Sequence, residues 1–215
     1  MRHQKVSMFP DGNVTCGMIP RARNHWGFSG PEQGEYALNR LVYERFGSKK
    51  GLLRFCYHWA LARLGAYRAF SGVDAVNCQR LVFVCSGNIC RSPLAEAYAR
   101  SLGRESASCG LNCGDGFPAD PRAREFAASH GLSLDDHKTV NVKDFRFRND
   151  DLIVVMEPAQ ITEFHQKVGE DYTLALAGTY CGKPVPYIHD PFNCSDEFFT
   201  YCEKNVMDSV RGMCA

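Results

Sequence analysis

The stretch Leu81-Val82-Phe83-Val84-Cys85-Ser86-Gly87-Asn88-Ile89-Cys90-Arg91-Ser92-Pro93 constrains the fold more than any other part of the chain. Residues 81–84 are a short continuous apolar run, the pattern of a strand buried on both faces, and such strands belong to parallel sheets covered by helices. Residues 93–100 are rich in helix formers and begin with Pro93, whose missing N–H costs nothing in a first turn. Residues 85–92 are therefore a strand-to-helix loop.

Such a loop offers unpaired backbone amides and the positive end of a helix dipole to its occupant, which favours a dianion and a thiolate alike. Gly87 and Asn88 suit the left-handed backbone of a tight anion cradle. Arg91 follows Cys85 by six positions, far enough round the loop to point back across it and grip two phosphate oxygens with a planar fork. Ser92 can donate its hydroxyl to the Cys85 sulfur. The expected phosphate-binding residues are Ser86, Gly87, Asn88, Ile89, Cys90 and Arg91. A lone cysteine six residues before an arginine reads as readily as a buried apolar thiol at a strand end. The whole string, set between a buried strand and a helix, does not.

The string resembles the phosphate-binding loop of the low-molecular-weight protein tyrosine phosphatases, whose signature is Cys-x5-Arg-Ser. The resemblance continues through Ser108-Cys109-Gly110-Leu111, through Pro118-Ala119-Asp120-Pro121 leading into a second helix, and through Asp151-Leu152-Ile153-Val154-Val155-Met156-Glu157, which looks like the family's third strand. His137 stands where that family places a histidine, and His189-Asp190-Pro191-Phe192 where it carries an Asp-Pro loop. It covers about residues 80 to 215.

This resemblance implies a phosphotyrosine-protein phosphatase working through a cysteinyl-phosphate. Cys85 is the implied nucleophile, which splits one hard hydrolysis into two easier steps. Arg91 clamps the phosphate while charge spreads over its oxygens. Asp190 is the implied general acid, and later the base for the attacking water. Ser92, Ser108 and His137, with Asn88, match the positions of a network that holds the loop open, while Phe192, Asn193 and Asn112 fall at the substrate cleft. Asn193 replaces the usual second aromatic of a pair, and residues 112–117 lack the customary early aromatic of the variable loop. A cysteine at position 90 can close a reversible disulfide with the nucleophile in this family. The implied partner is a phosphotyrosine protein, a tyrosine kinase among the candidates.

Neighbouring readings on the same scaffold separate at single residues. Ile89 stands where related protein-arginine phosphatases have threonine. Arsenate reductases close the third strand with a cysteine, and Met156 stands there. A non-catalytic phosphoprotein-binding module has no use for the acid, yet Cys85, Arg91 and Asp190 occur together. No cofactor and no metal is expected, since Cys109 and Cys113 have neither a nearby histidine nor a second cysteine pair at zinc-ligand spacing.

Eleven cysteines at irregular spacing argue against a secreted disulfide framework, and a nucleophilic thiol fits the reducing cytoplasm. No apolar signal-type core follows Met1, and no run reaches the ~18 apolar residues of a membrane span. Residues 1–80 carry 12 Lys and Arg against 5 Asp and Glu, whereas residues 81–215 carry 13 against 19. The two parts therefore attract one another.

The expected organisation is an N-terminal extension, residues 1–79, followed by a catalytic domain, residues 80–215. The extension reads as coil over residues 1–34 and as helices over 36–45 and 50–70. In the second helix Leu53, Trp59, Leu61, Leu64 and Tyr67 form an apolar stripe among Lys50, Arg54, Arg63 and Arg68. The favoured reading packs that stripe on the acidic domain; a partner protein or an anionic membrane surface is the lesser alternative, and no nucleic-acid logic is found. The domain itself is expected to be α/β, a doubly wound four-stranded parallel sheet with helices on both faces. Strands are expected near 81–84, 105–109, 151–156 and 172–177, and helices near 92–102, 121–130, 158–167 and 196–211.

Overall fold

The computed structural model describes residues 32–215. Its first elements are helices α1 (Glu32–Phe46) and α2 (Lys49–Arg63). Strands β1 (Arg80–Cys85), β2 (Ser106–Gly110), β3 (Asp151–Val155) and β4 (Thr173–Leu176) follow, and they pair in the order β2-β1-β3-β4, every pair parallel. Helix α3 (Arg91–Ser101) joins β1 to β2, α4 (Pro121–Ser129) lies between β2 and β3, and α5 (Pro158–Lys167) between β3 and β4. Helix α6 (Asp196–Cys214) ends the chain. The expected strands and helices are thus present with ends shifted by a few residues.

Alternate strand residues build two cores. Leu81, Phe83, Leu152 and Val154 face α3, α4 and α6, while Val82, Val84, Ile153 and Val155 face α5 and the aromatics Phe145 and Phe147. All six residues of β1 are buried, which is why the sequence there is apolar without alternation. Because β1 has β2 on one side and β3 on the other, the chain leaves its carboxyl end in both directions, opening a crevice there.

Three expectations for the extension need correction. The coil expected over residues 1–34 lies outside the described residues as far as residue 31, and from Glu32 the backbone is already helical. The helix expected over 50–70 stops at Arg63, because Gly65 takes a left-handed φ of 86° and a separate 3-10 turn forms at Arg68–Phe70. Nor does the apolar stripe pack as a unit. Tyr67 reaches the second core, but Leu53 is 73% and Leu64 83% exposed, and Trp59 is capped by the Arg63 guanidinium 4.8 Å from its ring centroid. The inward arc is instead Gly51, Arg54, Phe55 and His58, in helical spacing, set against Phe46, Tyr187 and Glu157. No helix among the described residues is long and apolar enough to cross a membrane.

Candidate active site

The loop after β1 is held open from outside. Its carbonyls are tied to neighbouring segments: Leu111 N donates to Cys85 O (2.9 Å), Asn112 N to Ser86 O (2.8 Å) and Asp120 N to Ile89 O (2.8 Å). Among the described residues, the amides of Gly87, Ile89 and Cys90 have no such partner, so the loop turns acceptors outward and keeps donors inward. Cys85 lies at its base, 2% exposed, with Asn88 N donating to its sulfur at 3.3 Å.

Asn88 organises the loop. Its φ of 51° makes it the single non-glycine residue with positive φ among the described residues. Its Oδ1 accepts from Val140 N (3.0 Å), which fixes the amide orientation, and its Nδ2 donates to both Ser92 Oγ and Ser108 Oγ at 2.9 Å. Ser92 Oγ, as acceptor from Asn88, keeps its own proton for the Cys85 sulfur 3.0 Å away. Ser108 passes its proton on to Glu96 Oε2 (2.5 Å). His137 Nε2 lies 2.8 Å from the Asn88 carbonyl, which can only accept, so that nitrogen carries the proton. The four expected supports, Asn88, Ser92, Ser108 and His137, therefore come together in one network.

Arg91, at the first turn of α3, is 1% exposed. Its Nη1 donates to Glu157 Oε1 (2.8 Å) and to the Ile188 carbonyl (3.0 Å), and its Nη2 pairs with Asp190 Oδ2 at 2.9 Å. Two of its five N–H groups are left, one on Nη2 and one on the buried Nε, which has no partner among the described residues. These lie on adjacent nitrogens, the spacing that grips two oxygens of one phosphate. Glu157 is held from its other side by Arg54 of α2. Burial pushes its carboxyl up, but Arg91 and then Arg54 outweigh burial and hold it below the ordinary glutamate value.

The sequence presents Glu157 only as the end of the third-strand string, although it carries a further signal: an acid immediately after a buried parallel strand sits at the sheet's carboxyl end, where ligands bind. Glu96 lacked any such signal. Nor was Glu203 singled out; it is wholly buried on α6 with both oxygens unpartnered among the described residues, and burial pushes its carboxyl up to about 8.

The expected cleft residues lie near the surface. Phe192 is exposed, Asn193 is exposed beside it, and Asn112 is drawn sideways, its Nδ2 on Glu163 Oε1 (2.9 Å) and its Oδ1 on Lys167 Nζ (2.7 Å). Cys90 is buried, and burial pushes its thiol well up. Among the described residues no cluster of three or more His, Cys, Asp or Glu side chains is arranged to hold a metal ion.

The family model described as low molecular weight phosphotyrosine protein phosphatase matches residues 80–215. EpsP of Ralstonia nicotianae is 38% identical over 89 residues, 40% of this chain and 61% of the relative. Etp of Escherichia coli K12, a low molecular weight protein-tyrosine-phosphatase, is 34% identical over 126 residues, 56% of this chain and 82% of the relative. The crystal structure of the tyrosine phosphatase amsI from Erwinia amylovora superposes with a TM-score of 0.58 at 29% identity, covering 63% of this chain and 91% of that one. The chain thus spans about three fifths of the length of the EpsP relatives that it matches.

Proposed function

Since this chain belongs to the low molecular weight phosphotyrosine protein phosphatase family, we propose that it hydrolyses phosphotyrosine in proteins through a cysteinyl-phosphate intermediate. The observation that carries the reading is the convergence on one guanidinium: Arg91, six residues after Cys85, meets Asp190 at 2.9 Å across more than half of the domain's sequence.

The geometry supports the following steps. A phosphate monoester enters the loop, where the inward amides and the two free N–H groups of Arg91 take its non-bridging oxygens. Arg91 then exchanges part of its contact with Asp190 for the dianion, which frees that carboxyl to face the leaving oxygen. The Cys85 sulfur, stabilised by the Ser92 hydroxyl and the Asn88 amide, attacks phosphorus. The P–O bond to tyrosine breaks as Asp190 delivers its proton to the phenolate. In the second step Asp190 takes a proton from water, the resulting oxygen attacks phosphorus, and the S–P bond breaks to release phosphate and the thiolate. Ser92 stabilises that departing sulfur again.

The same reading puts the protein in the cytoplasm, with a phosphotyrosine protein, a tyrosine kinase among the candidates, as substrate. It also makes the enzyme redox-sensitive: a Cys85 sulfenic acid condenses with the Cys90 thiol to a disulfide and water. Residues 1–79 are taken as the extension and 80–215 as the catalytic domain.

The test is metal-free hydrolysis of a phosphotyrosine peptide, a phosphoarginine peptide, and arsenate with a thiol donor, side by side. Phosphotyrosine is expected to be turned over best. Cys85→Ser should reduce turnover to background while phosphate still binds; ordinary turnover by that variant ends the nucleophile assignment, and preference for phosphoarginine moves the enzyme to the neighbouring class.

A further inference from the structure

Arg91 works only if its fork is aimed, and what aims it is the pair of acceptors on its Nη1, the Glu157 carboxylate and the Ile188 carbonyl. Both reach out of the family-matched region to helix α2. Glu157 is nearly buried between two guanidiniums, with Oε1 on Arg91 and Oε2 on Arg54. Ile188 follows Tyr187, whose ring lies 5.1 Å under the Arg54 guanidinium and 5.1 Å from the His58 ring, one turn further along α2. The Ile188 amide donates to Met156 O (2.8 Å), so the segment that leads to Asp190 is pinned to the end of β3 beside Glu157. A carboxylate with one oxygen unpaired can rotate about its terminal torsion, whereas one gripped at both ends has a single orientation.

We infer that Arg54 is a positioning residue for the phosphate site, acting from the N-terminal extension by fixing Glu157 and Tyr187, and through them the donor edge of Arg91. Substrate is not touched by Arg54. This rests on the proposed phosphatase reading, and it makes the extension a support of the cradle rather than a cover over it. Its charge sits where the positive extension meets the negative domain, but the effect is local: Arg63, two turns on, stacks on Trp59 and reaches neither Glu157 nor Tyr187.

The deciding measurement is calorimetric titration of inorganic phosphate onto the full chain, wild type against Arg54→Ala, Arg54→Lys and Arg63→Ala, from acid to neutral pH, with aryl phosphate turnover measured in parallel. Arg54→Ala is expected to weaken phosphate binding and lower kcat/KM by about tenfold or more, the scale of a displaced positioning group. Arg54→Lys should recover most of that loss, and Arg63→Ala should match wild type. Glu157 also loses one of the groups that hold its proton off, Arg91 from α3 and His189 from the segment before α6 being the others. The acid limb of phosphate binding in Arg54→Ala therefore moves to higher pH, and it returns with lysine, a response that general loosening would not produce. If Arg54→Ala fails to fold, Arg54→Gln decides in its place, since it keeps a stem over Tyr187 and removes the charge. Phosphate affinity equal to wild type across the pH range overturns the inference, as does faster turnover with tighter binding, which would make the extension a restraint. A wild-type chain that binds phosphate but hydrolyses no aryl phosphate defeats the phosphatase reading alone, and the phosphate titrations still decide the role of Arg54.

Discussion

At the scale of single residues, the site is a matter of which atom keeps which proton. Ser92 can serve the Cys85 sulfur because Asn88 has already filled its acceptor, and Asn88 can do so because Val140 fixes its amide. In the proposed mechanism Asp190 has the opposite task, giving a proton away once Arg91 turns to the substrate. Asp190→Ala should therefore cost about 10²- to 10⁴-fold with aryl phosphates whose leaving groups are poor, and far less with good ones, for which protonation adds little. Rates for a series of substituted phenyl phosphates check this; equal losses along the series remove Asp190 as the acid. Cys85, Asn88, Arg91 and Ser92 are readable in the sequence as one short string whose spacing has a physical reason, whereas Asp190 is singled out only by the resemblance, since Asp-Pro by itself reads as a turn. The roles of Glu96 and Glu157 are not readable there, since Glu96 accepts from Ser108, 12 residues on, and Glu157 from Arg91, 66 residues earlier.

Elements were legible where hydrophobic pattern decides them. The unbroken apolar run of β1 reported burial on both faces, and Pro93 marked the start of α3. Helix α2 shows what periodicity leaves open: it reveals that a face is apolar but not which arc meets the neighbouring unit. That arc is chosen by the corner between α1 and α2. There Gly47 takes a φ of 69°, and a Cβ on it would stand 2.9 Å from the Phe198 ring of α6. Ser48 caps α2 by accepting from Gly51 N (2.9 Å). Gly47→Ala combines backbone strain of about 1–2 kcal/mol with displacement of that ring. The expected outcome is faster hydrogen exchange throughout α1 and α2, with the amides of β1 and β3 as protected as before. Equal loss of protection in sheet and corner would mean that the extension and the domain unfold as one unit.

For the molecule as a whole, the feature that hydrophobic pattern conceals is Glu203. In the sequence it is one more polar position on an amphipathic helix; in the fold α6 lies against α3, and the carboxyl ends up wholly buried without a hydrogen-bond partner among the described residues. Charged groups reach it from every side: Arg91 at the start of α3, Asp120 and Arg122 at the start of α4, and Asp190 in the loop before α6. Burial is the largest influence, and it pushes the carboxyl from its ordinary value of 4.5 up to about 8. Below the ordinary value both folded and unfolded chains hold the proton, so the residue favours neither. As pH rises further the unfolded chain releases it while the folded chain cannot, at about 1.4 kcal/mol per unit, and the loss is complete only above the folded value. Glu203→Gln keeps the shape and removes this titration. Its denaturant midpoint should equal that of wild type near pH 4 and exceed it increasingly toward pH 8, by an amount on the order of a few kcal/mol at an unchanged slope. A difference that does not vary with pH would mean that the carboxyl is paired in solution and that the interior under the loop of residues 85–92 is wetter than the fold describes.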